Sequence, residues 1–183
     1  IMATWVGFDT DGRSDIMWWD TLGIRLTLKR LQLERLRGQL TSLLADGSTL
    51  LVRLDIAIDA VRAQENAAPR HGRSDPRSIA AFAAILVERG DDALGEAAAL
   101  LPAFEEAIAT VDHAARAELL VARAGFMAHG LGLAHIHTRL NATQLYNAAR
   151  QRLGIEDDPA IPAHRRVVLA QINEALDTLS PVD

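Results

Sequence analysis

The stretch Gly130-Leu131-Gly132-Leu133-Ala134-His135-Ile136-His137-Thr138-Arg139 decides how the rest of the chain is read. A strand alternates its side chains between two faces, so His135, His137 and Arg139 would share one face with Leu133. Ala134, Ile136 and Thr138 would take the other. A guanidinium among imidazoles in an otherwise apolar run is costly unless an anion, a carboxylate or a metal satisfies it. The segment therefore reads as a buried strand, about 131–139, that delivers polar groups to one end. A second strand-like run, residues 3–8, closes on the polar loop Asp9-Thr10-Asp11-Gly12-Arg13-Ser14-Asp15.

Between these two runs the pattern is helical. Leu22, Leu26, Leu33, Leu36, Leu40 and Leu43 recur at three- and four-residue spacings or their sums, which predicts a helix from about Trp18 to Leu44 stopped by Asp46-Gly47. Ile24, Leu28 and Leu31 widen its apolar face, so burial on more than one side is expected. A second helix is predicted over about 48–66, with Leu51, Leu54, Ile58 and Val61 inward. Asp75-Pro76 reads as an N-cap followed by proline at the first helical position, opening a helix that ends at Gly90. Further helices are predicted over about 91–110 and 112–129. Beyond the strand, Asn141 and Gln144 suit a capping box for a helix to Gly154. A last helix runs over about 163–179. The fold class expected is mainly α, with about seven helices and two short strands.

Composition narrows the function. The 183 residues are 49% hydrophobic and only 4% aromatic, an Ala- and Leu-rich make-up that favours packed helices. The net charge of −5 excludes a basic nucleic-acid surface. No apolar run reaches membrane length and no signal-peptide pattern opens the chain. There is no cysteine, hence no disulfide framework. A soluble, cytoplasmic protein without nucleic-acid or membrane partners is the expectation. Lys29 is the only lysine, so nearly all positive charge is arginine.

Two strands more than a hundred residues apart do not fit a helical bundle, and a lone pair is marginal. Polar residues at the end of each are what barrel strands present at a C-terminal rim. The economical expectation is two staves of a larger barrel with helical insertions between them. The opening Ile1-Met2-Ala3-Thr4-Trp5, directly in a strand-like run, suits an internal fragment, so residues 1–183 are expected to be one piece of a larger domain.

The segments Trp5-Val6-Gly7-Phe8-Asp9-Thr10-Asp11-Gly12-Arg13-Ser14 and Gly130–Arg139 resemble two motifs of the phosphoenolpyruvate carboxylase family, W-x-G-G-D-R-D-G-N-P and F-G-L-x-L-A-x-L-D-I-R-Q. Trp5, Gly7, Asp9, Asp11 and Gly12 fit the first; Phe8, Thr10, Arg13 and Ser14 depart from it. Gly130, Leu131, Leu133, Ala134, Ile136 and Arg139 fit the second, with His137 in place of Asp and Leu140 in place of Gln. The long Leu-rich helix and the outline of residues 152–182 are also similar. The resemblance implies an α/β barrel with helical insertions and a lyase that joins bicarbonate to phosphoenolpyruvate, giving oxaloacetate and phosphate with Mg²⁺ or Mn²⁺. It implies a homo-oligomeric parent. Carried over residue by residue, Arg139 would bind and neutralise the substrate phosphate. Trp5, Asp9, Asp11, Gly12 and Arg13 would line the rim of the site, Arg13 standing in for the motif's missing Arg. The family's essential His and its metal-binding carboxylates would lie outside residues 1–183, so the fragment alone is expected to be inactive.

Other readings of the same residues stay open. A D-x-D-G turn also serves as a strand-to-helix connection whose carboxylates cap backbone amides, and Arg139 also suits a salt bridge at a strand end. His135 and His137 at i, i+2 could chelate zinc, but His71, His113, His129 and His164 supply no evident third ligand, and Arg139 opposes a cation. The departures leave room for a diverged homologue that binds an anion without carboxylation. Without the resemblance, the chain reads as a helical interaction domain.

Overall fold

The computed structural model describes residues 3–4, 16–69, 75–132 and 135–136, and beyond them 147, 150, 151, 154, 161, 162, 164–167 and 170. The chain divides into two compact units, one of Ile1–Phe8 and Asp15–His137, the other of Asp9–Ser14 and Thr138–Asp183. The protein is mainly α. In the first unit the order is β1 (Ala3–Thr4), α1 (Trp18–Leu40), α2 (Thr49–Ala67), α3 (Pro76–Glu88), a 3-10 turn (Ala97–Leu100), α4 (Leu101–Thr110), α5 (His113–His129) and β2 (His135–Ile136). In the second unit residues 147, 150, 151, 162, 164–167 and 170 are helical. The helices expected over 141–154 and 163–179 lie otherwise outside the described residues.

Local chemistry sets the helix starts. The Asp20 carboxylate accepts the Met17 backbone N–H at 2.9 Å, closing the first turn of α1. Ser48 Oγ accepts from the Leu51 N–H ahead of α2. The Asp75 carboxylate accepts the Arg77 and Ser78 N–H groups and the Ser78 hydroxyl, with Pro76 in the first turn of α3, where its missing N–H costs nothing. These bonds, the Ser78 hydroxyl first, hold the Asp75 carboxyl below its usual range. Asp112 accepts from the Ala115 N–H at 2.9 Å to open α5. Gly130 ends that helix at φ +68°, a left-handed conformation suited to glycine, its N–H bonded to the Phe126 carbonyl at 2.8 Å.

The helix α1 stops four residues short of the expected Leu44. The Thr41 hydroxyl bonds back to the Arg37 carbonyl, and the Leu43 and Leu44 N–H groups both turn onto the Leu40 carbonyl. Leu43 still packs on the core from that turn. The helix expected over 91–110 is broken more severely. Residues 91–96 are turns, Leu94 takes a left-handed φ of +65°, and helix resumes only through the 3-10 turn, with Pro102 in the first turn of α4.

The core is one cluster. From α1 it takes Trp19, Leu26, Leu33, Leu36 and Leu40, and from α2 Leu50, Leu51, Leu54, Ala57, Ile58, Ala60 and Val61. Phe82, Ala93, Leu94, Leu100, Phe104, Ala107, Leu119 and Phe126 complete it. All four α2 positions expected inward are buried. The expectation that α1 buries more than one side is corrected: Leu31 is exposed, and Ile24 and Leu28 are only half-buried. The helices α1 and α2 are antiparallel, since contacts advance along one as they retreat along the other: Arg30 meets Glu65, Glu34 meets Arg62 and Arg37 meets Asp55. The Phe104 and Phe126 rings join α4 to α5 at 6.5 Å.

Of the strands expected over 3–8 and 131–139, residues 5–8, 133–134 and 137–139 lie outside the described residues. Ala3–Thr4 pairs in parallel with His135–Ile136, Ala3 opposite His135 and Thr4 opposite Ile136. Gly130–Gly132 is a turn and bend rather than the start of a strand, because the α5 cap consumes those residues. Among the described residues there are no barrel staves beyond this two-residue pair, which is no barrel.

Candidate functional site

Trp5, Asp9, Asp11, Gly12, Arg13 and Arg139, expected at a phosphate site, all lie outside the described residues, as does His137. Of the expected site segments and the strands leading to them, Gly130–Gly132 and the backbone of Ala3–Thr4 and His135–Ile136 are described. Because the pairing is parallel, the chain leaves both strands at the same end.

Polar groups that are described gather on α1 and α2. Gln32 is fully buried. Its amide N–H donates to the Gly130 carbonyl at 3.3 Å and its oxygen accepts from Arg35 Nε at 3.0 Å. One α1 side chain thus ties down the turn that ends α5, a few residues ahead of β2. Gln64 makes the equivalent bond from α2, donating to the Leu86 carbonyl near the end of α3 at 3.2 Å. Both satisfy carbonyls that a helix end leaves without an internal partner.

Lys29 donates its ammonium to the carbonyl of Leu94. Burial, and secondly the Arg25 guanidinium one turn earlier, lower its pKa from 10.5 to about 8. Neither Gln32 nor the burial of Lys29 was expected from sequence, though for Lys29 a signal existed. The apolar positions 22, 26, 33, 36, 40 and 43 leave one gap in a strict alternation of four- and three-residue steps, and Lys29 fills it.

An ionic network lies along the α1–α2 seam. Arg30 Nε bonds Glu65 at 2.5 Å and its Nη1 bonds Glu34 at 2.9 Å, while the Thr27 hydroxyl donates to Glu65 at 2.7 Å. Burial alone would raise the Glu65 carboxyl, but the bonds from Arg30 and Thr27 outweigh it and lower the pKa. Glu65 and then Glu34 raise Arg30. Arg62 bridges Glu34 at 3.0 Å and Asp59 at 3.4 Å, and Arg37 pairs with Asp55. A groove of about 550 Å³ opens here, lined by Glu34, Arg37, Gly38, Asp55, Asp59 and Arg62, with Ile58 at its base. Both arginines of the groove are bound to carboxylates, so it presents no free cation to an anionic ligand. Pairs this exposed add little stability and serve mainly to hold the register of the two helices.

Among the described residues no group of three or more His, Cys, Asp or Glu side chains is gathered to hold a metal ion. No described helix is long and apolar enough to cross a membrane. Comparison of the chain with protein-family models, with curated proteins and with solved structures gives no match.

Proposed function

We propose that this chain is an internal part of a phosphoenolpyruvate carboxylase-like lyase. In that reading Arg139 is the phosphate ligand and catalytic contributor, and Trp5, Asp9, Asp11, Gly12 and Arg13 form the rim of the site. The observation that carries the reading joins sequence to backbone. Ala3–Thr4, which immediately precedes the segment 5–14, pairs in parallel with His135–Ile136, which lies within the segment 130–139. In sequence Asp9, Asp11 and Arg139 come after these paired residues, and parallel pairing is the arrangement an α/β barrel requires.

The chemistry assigned to Arg139 is electrostatic. Transfer of the phosphoryl group of phosphoenolpyruvate to bicarbonate spreads charge over its oxygens, and a guanidinium holds two of them at once. The enolate released then takes up carbon dioxide to give oxaloacetate. Metal ligands and the remaining cations would come from the rest of a homo-oligomeric, cytoplasmic parent, so residues 1–183 alone would not turn over. The second reading, an anion-binding homologue that does not carboxylate, draws on one substitution: Thr10 stands where the motif has an arginine.

The test is Arg139→Ala in the full-length parent, assayed for oxaloacetate formation from phosphoenolpyruvate and bicarbonate with Mg²⁺. Loss of one bidentate phosphate contact predicts a fall in kcat/KM of at least about a hundredfold. Turnover that is unchanged in the variant would remove Arg139 from the site. No turnover in a folded wild type would leave the anion-binding reading.

A further inference from the structure

Lys29 differs from the paired cations of the first unit. Arg30, Arg37, Arg62, Arg89 and Arg123 each meet a carboxylate, whereas Lys29 has none among the described residues. It stands in the apolar stripe of α1, between Leu26 and Leu33, and its one hydrogen bond goes to a backbone carbonyl. That carbonyl belongs to Leu94, a buried residue held at φ +65°. A branched side chain occupies this left-handed region only under constraint, and such strain gathers where a backbone group is being aimed. One helical turn before Lys29, on the same face, lies the exposed cation Arg25. The arrangement suits a cation poorly: a half-buried charge with no counter-ion among the described residues and a like charge beside it.

We propose that Lys29 is a carbamylation site for carbon dioxide. The amine lone pair attacks the carbon of CO₂, one C=O electron pair moves to oxygen, and the nitrogen gives up one proton to water. The products are a lysine carbamate and H⁺, with no change of oxidation state. The carbamate nitrogen keeps one N–H, which continues to donate to the Leu94 carbonyl. The new carboxylate turns the repulsion from Arg25 into an ion pair. Carbon dioxide reacts only with a neutral amine, and the lowering of Lys29 to about 8 leaves on the order of a tenth of it neutral at pH 7. A small apolar electrophile also suits a position set among leucines better than a bulky acyl donor does. None of the residues assigned to the lyase site takes part, so the inference stands or falls independently of it.

The test equilibrates the 183-residue chain with ¹³C-labelled bicarbonate and CO₂ near pH 8, traps carbamates by O-alkylation and maps the adduct by peptide mass. The expected result is an adduct on Lys29 that is absent from Lys29→Arg and from the urea-unfolded chain. In Arg25→Gln its occupancy falls about two- to fivefold, the range expected for losing one partly exposed ion pair. An adduct confined to the α-amino group, or no adduct in the folded wild type, would overturn the proposal. Undiminished occupancy in Arg25→Gln would overturn the pairing on which it rests.

Discussion

Replacing Lys29 with methionine asks whether a charge in the α1 stripe costs stability. Methionine keeps the unbranched chain and fills the same space, but it carries no charge and cannot donate to the Leu94 carbonyl. The lowering of the Lys29 pKa from 10.5 to about 8 corresponds, at about 1.4 kcal/mol per tenfold, to a penalty of roughly 3 kcal/mol against the protonated form. Where the unfolded chain binds the proton more tightly than the folded one, stability rises with pH. The penalty is therefore fully present below pH 8 and disappears as pH climbs from about 8 to 10.5. The lost hydrogen bond acts the other way, by about 1 kcal/mol at every pH. Lys29→Met should then be more stable than wild type by about 2 kcal/mol at pH 7 and less stable by about 1 kcal/mol above pH 10.5. Urea unfolding of both proteins at a series of pH values, in carbonate-free buffer, measures the difference without interference from groups common to both. A difference that stays constant with pH would refute the reasoning and show that Lys29 is hydrated in the folded state.

Three further substitutions test the packing. Gln32→Leu strands the Gly130 carbonyl; a loss of about 1–3 kcal/mol is expected in denaturant unfolding, with faster amide exchange at 130–132 than at α2. Asp112→Ala removes the oxygen that accepts the Ala115 N–H, which should cost about 1 kcal/mol and fray the start of α5 in hydrogen exchange. Phe104→Ala empties a fully buried position against Phe126; a loss of about 3–5 kcal/mol in urea unfolding is expected, and a loss below 1 kcal/mol would mean the α4–α5 contact is not part of the core.

The helical part of the fold was legible because its signals are local. Asp75-Pro76, Ser48 and Asp112 act within one turn of their own helices, and the periodicity of α2 reports the face it buries. Residues 91–96 misled because Asp91-Asp92 suits a helix start ahead of the alanines at 97–99, while the break at Leu94 is tied to Lys29, 65 residues away. The start of the second expected strand was misplaced for a related reason: alternation is blind to the Gly130 cap, beyond which 131–132 are turn and bend. Burial of Gln32 was hidden for want of any sequence mark of the Gly130 carbonyl that satisfies it. The candidate lyase residues were readable only as a resemblance, since spacing alone assigns Asp9, Asp11 and Arg139 equally well to capping and salt bridging.

The central claim is that the parent protein fixes bicarbonate carbon onto phosphoenolpyruvate. The most direct measurement incubates the full-length parent with ¹³C-labelled bicarbonate, phosphoenolpyruvate and Mg²⁺, reduces the product in place to malate and follows the label by NMR. The account predicts label in the new carboxyl group of malate, matched by an equal amount of phosphate released. Phosphate release without labelled carbon, or neither product from a folded protein, would contradict it.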